Sequence, residues 1–140
     1  MLAALFARSR AVAMPWLPVL HTPEEDVAFF KDRVLPRGET LIAEAGAEVA
    51  AFITFNADFV DQLYVEPERR RQGLGRALLR EAKSSSDSLS LWVFQQNSAA
   101  RAFYAAEGFV DDIFTDGSNN EEKTPDLRMV WQARSKEHTQ

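Results

Sequence analysis

The stretch Val65-Glu66-Pro67-Glu68-Arg69-Arg70-Arg71-Gln72-Gly73-Leu74-Gly75-Arg76-Ala77-Leu78-Leu79 constrains this chain most. An apolar strand ends, a turn with two spaced glycines and four arginines follows, and a helical apolar spacing begins at Leu74. A helix start leaves several main-chain N–H groups unpaired and carries roughly half a positive charge, so it can hold a phosphate with main chain alone. Gly73 and Gly75 would let that main chain approach a ligand with no side chain in the way. The four arginines Arg69, Arg70, Arg71 and Arg76 gather on a chain whose formal charge is −5, which suits a multiply charged phosphate ligand. The plainer reading is a solvated arginine face beside an ordinary glycine turn. No Gly-Lys-Ser/Thr is present and Gly-x-Gly-x-x-Gly is absent, which removes P-loop nucleotide hydrolysis and dinucleotide binding.

The rest of the chain reads as an α/β frame around that turn. With 140 residues, 46% hydrophobic and 26% charged, it has the balance of one compact domain. Leu2 to Val12 reads as a helix, and Thr22-Pro23-Glu24-Glu25 supplies an N-cap, a first-turn proline and acids for a second helix reaching Val34. Strands are predicted at 40–45 and 48–56, joined by a turn at Gly46, and at 59–65. Strict alternation sets Asp61, Leu63 and Val65 on one face of the third strand and Val60, Gln62 and Tyr64 on the other. A helix from Gly75 to Lys83, a serine-rich linker and a buried strand at 89–94 then imply a crossover that makes 59–65 and 89–94 parallel. A helix over 97–107 ends at Gly108, and strands at 109–115 and 126–132 close the chain around an acidic loop.

Composition excludes several functions. The absence of cysteine removes disulfide frameworks and thiolate metal sites, and His21 and His138 stand apart from other ligands, so no metal is expected. The acidic balance argues against nucleic acid as a partner and favours a cationic small one. No apolar run of eighteen residues exists, so no membrane partner is expected. Residues 1–23 hold Arg8 and Arg10 but no acid, and Ala11-Val12-Ala13 has the look of a cleavage site. No positive charge precedes the short apolar Leu2 to Phe6, so this segment is read as a helix of the fold and the address as cytoplasmic.

Arg70-x-x-Gly73-x-Gly75, preceded by Leu63-Tyr64-Val65, resembles the pyrophosphate-binding motif of GNAT N-acetyltransferases. A second segment, Asn97-Ser98-Ala99-Ala100-Arg101-Ala102-Phe103-Tyr104 with Gly108-Phe109, is similar to the other signature of that family at the expected distance downstream. Asn119-Glu121-Glu122 and Pro125-Asp126 resemble a pattern of one bacterial branch. The resemblance covers about residues 40–132 and implies a mixed, mostly antiparallel sheet whose central parallel pair splays to hold acetyl-coenzyme A. The chain is then one domain over 1–140, with a helical acceptor-side segment at 1–36, a cofactor-binding core at 40–132 and a tail at 133–140.

The resemblance also implies roles. Main-chain groups of Leu63, Tyr64 and Val65 would pair with the pantetheine arm, and the run Arg70, Arg71, Gln72, Gly73, Leu74, Gly75 and Arg76 would hold the pyrophosphate. Asn97 would bond the arm, and Tyr104, seven residues on along the same helix, would protonate the leaving thiolate. A main-chain N–H near Val65 would stabilise the developing oxyanion as a neutral amine attacks. The alternatives are a capping role for Asn97 and a core aromatic at Tyr104. The base is not named; Asp61, Asp58, Glu121, Glu122 and Asp126 are acids on elements that border the acceptor pocket, and Trp16 is a candidate wall for it. The acceptor is expected to be a small amine or a peptide amine, and a homodimer is left open. A non-catalytic acyl-coenzyme A sensor and transfer of a longer acyl group are the other readings. Two departures from the family pattern stand out: the usual first strand and part of the first helix are not found before Leu2–Val12, read either as a start lying upstream or as a shortened sheet with an exposed edge, and Met129 stands where related branches tend to carry an aromatic residue, with a change of acceptor choice expected.

Overall fold

The computed structural model describes residues 2–133, so the tail beyond Ala133 and His138 lie outside the described residues. Helix α1 spans Leu2–Ala13 and α2 spans Pro23–Phe29. The Thr22 hydroxyl accepts from the Glu25 N–H at 3.1 Å and the Glu25 carboxylate accepts from the Thr22 N–H at 2.8 Å, which closes the start of α2. A single helix to Val34 was expected; instead the chain widens to a π turn over Phe30–Val34 and tightens to a 3₁₀ turn over Leu35–Arg37. Pro36 has no N–H to give and its ring crowds the carbonyl one turn back, so the regular ladder gives way here.

Strands β1 (Glu39–Ala45), β2 (Glu48–Phe55) and β3 (Val60–Val65) form one antiparallel sheet, in that order. Helix α3 (Leu74–Ser84) leads to β4 (Ser88–Phe94), and α4 (Ser98–Ala106) leads to β5 (Val110–Phe114) and β6 (Asp126–Gln132). The second sheet is ordered β4-β6-β5 and is also antiparallel. The two sheets meet at a single parallel bridge, Phe59 to Ser90, where the Ser90 N–H donates to the Asp58 carbonyl at 2.9 Å. The expected parallel pair therefore touches at one end and carries no ladder beyond it.

Burial explains why β2 reads as a nearly continuous apolar run. Both its faces are covered, and Ala51, Phe52 and Ile53 are each 0% exposed. On one face Phe6 of α1 meets Phe30 and Tyr64 edge-on, each at 5.2 Å between ring centroids, over Phe52. On the other, Leu78, Leu79 and Ala82 of α3 pack with Ile53, Val60, Leu91 and Leu127. Strand pairing bends the expected faces of β3. Thr54 pairs with Gln62 but Phe55 pairs with Val60, so Asp61 is an extra residue in a β-bulge. Val60 consequently joins the core with Leu63 and Val65, whereas strict alternation had set it with Tyr64.

Candidate active site

The turn after β3 is built by backbone conformation. Arg71 and Gly73 hold positive φ angles of 65° and 80°, and Gly73 is the residue before the first turn of α3. No side chain caps that helix start. Its leading N–H groups thus face outward, as an anion site requires. A Cβ placed on Gly73 would meet nothing within 4 Å, so the approach is open. Gly75 differs: its Cβ would sit 3.6 Å from both Phe103 and Val65, which makes it a packing glycine between α3, α4 and β3. Arg69, Arg70 and Arg71 are exposed and enter no ion pair among the described residues; Arg70 reaches the Ser9 carbonyl at 3.4 Å. Arg76 is turned away, bonding the Glu107 carboxylate at 3.3 Å together with Arg80 and Lys83. Leu74 can offer only main chain to a phosphate, because its side chain packs on the core, while the Arg76 guanidinium shares the single Glu107 carboxylate with Arg80 and Lys83.

The free edge of β3 is the next component. The Glu66 N–H donates to the Ala50 carbonyl at 2.7 Å. Since bonded and non-bonded pairs alternate in an antiparallel ladder, Tyr64 is spent on Phe52 while the main-chain groups of Leu63 and Val65 turn to the opposite edge, toward β4. Tyr64 was expected to offer main chain to the arm with Leu63 and Val65; the ladder removes it from that edge. Ser9, which no sequence signal singled out, donates its hydroxyl to the Val65 carbonyl at 3.1 Å. Across the gap, the Asn97 carbonyl oxygen Oδ1 caps α4 by accepting from the Ala100 N–H at 3.2 Å, leaving the amide Nδ2 for another partner. The Tyr104 ring packs on Phe103 and Phe109, and the residue is 8% exposed. Burial pushes its hydroxyl well above the ordinary phenol range, with nearby Tyr64 adding to the effect.

On the α1–α2 side of β3 lies a cavity of about 660 Å³. Six carboxylates line it, Glu25, Asp26, Asp32, Asp61, Glu121 and Glu122, against Arg10, Arg33 and His21. Glu122 bonds Arg10 at 3.1 Å, and His21 Nε2 meets Glu121 at 2.8 Å while its Nδ1 faces Glu25 at 3.6 Å. These pairs latch the loop between β5 and β6 to the helical segment. The sequence pointed to Asp61, Glu121 and Glu122; it missed His21, Arg10 and the α2 acids, whose first-turn position reads as simple helix capping. Asp58 and Asp126 do not line the cavity, and Asp126 is tied to Thr115 and to Asn120. Trp16 is also absent from it, because its ring packs edge-on to Phe94 at 6.2 Å. Met129 is 1% exposed inside the core, so it has no contact with an acceptor.

The His21 latch gives a pH prediction. Bonding to Glu121 raises the His21 pKa above its ordinary value. A raised folded value means the latch contributes fully below the unfolded value of about 6.5 and is lost as pH climbs through the folded one. His21→Ala should therefore lower the thermal midpoint at about pH 6 and lose that effect by about pH 9, measured by paired melts.

The uncapped helix start at Gly73, the free edge of β3 and the acid-lined cavity thus lie along one strand. The chain matches the Acetyltransferase (GNAT) domain model over residues 36–111 and belongs to that family. It is 28% identical over 108 residues to the peptidyl-lysine N-acetyltransferase YiaC of Escherichia coli, covering 75% of this chain and 71% of that one. The solution structure of apo YjaB from Escherichia coli superposes with a TM-score of 0.76 at 23% identity, over 92% of this chain and 87% of that one. A PaiA N-acetyltransferase from Thermoplasma acidophilum in complex with coenzyme A gives a TM-score of 0.66 at 22% identity, over 94% and 91%. The protein is an acetyl-coenzyme A-dependent acyltransferase with a GNAT fold. No helix among the described residues is long and apolar enough to cross a membrane.

Proposed function

We propose that the protein moves an acetyl group from acetyl-coenzyme A to the primary amine of a cationic acceptor by direct attack, with a peptide lysine side chain as the first acceptor to test. The observation that carries this reading is the run of β3 itself, whose free edge at Leu63 and Val65 leads from the Gly73 turn toward the acid-lined cavity. Acetyl-coenzyme A supplies the activated acyl group. The turn from Arg70 through Gln72 and Gly73 to Arg76 holds the pyrophosphate by main-chain N–H groups, with the Arg70 and Arg71 charges beside it. Leu63 and Val65 pair with the pantetheine arm as an added strand would, and Asn97 Nδ2 bonds it from the far side.

A main-chain N–H near Val65 faces the acetyl oxygen as charge develops there, and Tyr104 holds a proton at Oη for the departing sulfur. Six cavity carboxylates attract an ammonium and disfavour an anionic acceptor. Residues 1–36 act as the acceptor side and 40–132 as the cofactor side of one working unit. The relative YiaC is named a peptidyl-lysine N-acetyltransferase, which supports a peptide amine.

A thiol-release assay with acetyl-coenzyme A tests the reading against blocked lysine peptides, polyamines, aminoglycosides and amino acids, beside calorimetry of the cofactor. Turnover confined to cationic amines is expected. Binding without turnover on any amine would reduce the protein to an acyl-coenzyme A binder, and no binding would overturn the reading.

A further inference from the structure

An antiparallel sheet with one face in water ordinarily alternates apolar residues inward with polar residues outward. The second sheet departs from that rule. Its inward residues behave as expected: Leu91 and Val93 of β4 and Leu127 and Met129 of β6 are buried with Leu79 of α3 and Tyr104 of α4. The register fixes what the outward face carries. Trp92 stands opposite Arg128, which stands opposite Ile113; in the next row Ser90 stands opposite Val130, which stands opposite Val110. Four of these six outward residues are apolar, and Trp92, Val110 and Ile113 are 45%, 64% and 47% exposed. Scattered exposed apolar residues are ordinary, but contiguous rows of them mark a contact surface. We propose that this face docks a second copy of the chain, giving a two-fold symmetric pair.

Charge selects the partner. The outward charges are Arg128 and Asp112, bonded to each other at 2.6 Å, and the β5 bulge that makes Asp112 an extra residue brings it beside Arg128. Both side chains stay partly exposed, so each keeps hydrogen-bonding capacity for a further group. A face with one acid beside one base is its own complement. Turned about a two-fold axis, Arg128 meets the partner's Asp112, and Asp112 meets the partner's Arg128. Two copies of a chain with formal charge −5 repel unless they meet on a patch without net charge, and this patch has none. The neighbouring Asp111 is paired with Arg101.

Pairing of strand edges is a different route to a dimer, and the composition of β5 disfavours it. This free edge of the sheet carries Asp111 and Asp112 in succession, and charge on an edge keeps further strands from adding. The contact is therefore face to face. Cover from within the chain is limited. Trp16, in the loop after α1, packs edge-on to Phe94 at 6.2 Å, yet Trp92, two residues along β4, stays exposed. The seven residues after Ala133 hold no apolar side chain able to cover the face.

Sedimentation equilibrium of the full chain from about 1 μM to about 100 μM tests this, since interfaces of ordinary size reach micromolar affinity or tighter. The mass should approach twice that of the chain as concentration rises. Trp92→Lys and Ile113→Lys should each weaken association by about tenfold or more, with unchanged far-UV circular dichroism. Asp112→Arg and Arg128→Asp give the sharper test. Each alone sets like charges side by side and should remain a monomer; mixed in equal amounts, the chain with two bases and the chain with two acids should form a one-to-one pair. A folding defect would not produce that recovery. A wild-type mass equal to one chain throughout would overturn the proposal and leave the face to another protein. Association left unchanged by Trp92→Lys and Ile113→Lys would place the interface elsewhere and overturn it equally. Failure of the two charge variants to associate on mixing would refute the two-fold pairing, and a chain ending at Ala133 that dimerises where the full chain does not would assign the cover to the tail instead.

Discussion

Replacing Tyr104 by Phe should lower kcat by about 10²-fold and leave the coenzyme A dissociation constant unchanged. General acid help spans about 10² to 10⁴-fold, and the lower end is expected here for a definite reason. Burial holds the Tyr104 hydroxyl well above the ordinary phenol range, so it stays protonated at working pH but gives its proton up reluctantly to a thiolate of ordinary basicity near 8.5. About 10²-fold corresponds to about 2.7 kcal/mol of barrier. The substitution is conservative for the fold, since the ring contacts to Phe103 and Phe109 remain and the hydroxyl has no hydrogen-bond partner among the described residues. Equal melting curves with a slowed turnover would match this expectation. Unaltered turnover from about pH 6 to pH 9 would remove Tyr104 as proton donor and leave it a core aromatic.

Gly73→Glu should weaken coenzyme A binding by at least tenfold, or about 1.4 kcal/mol. Two effects add. Any side chain at φ 80° costs about 1–2 kcal/mol of backbone strain, and a carboxylate there meets the pyrophosphate with like charge. Gly73→Ala isolates the first effect: its Cβ enters open space, so it should weaken binding only through the turn's altered conformation. Gly75→Ala is the contrast, because its methyl makes ordinary contact with Phe103 and Val65 at 3.6 Å and φ is unremarkable, so binding should change little. Calorimetric titration of the three variants checks the ordering. Undiminished affinity in Gly73→Glu would mean the phosphate lies elsewhere.

The element order was legible because it is written in local terms. Thr22-Pro23-Glu24-Glu25 announces a helix start by capping chemistry alone, and the structure returns the reciprocal bonds between Thr22 and Glu25. The helical spacing from Leu74 to Ala82 follows from one element burying one face. Likewise the Gly73 turn was recognisable, since a left-handed φ before a helix restricts the residue type to glycine for steric reasons. Gly75 was expected to be a close-approach point with it; that it also faces Phe103 and Val65, on elements separated in sequence, could not be read from the spacing.

What the sequence by itself determined is the order of elements, the glycine turn before α3 and the placing of Asn97 and Tyr104 on one helix, all consequences of local spacing. Only the tertiary structure decided which acids share a cavity, that Trp16 packs on Phe94, that Arg76 answers Glu107, and that a bulge turns Asp61 to the Tyr64 side of β3. The reason is physical. A bulge is set by the register between two strands, and a cavity by the closing of α1 and α2 over β3, so neither leaves a period or a motif in the residues that make it.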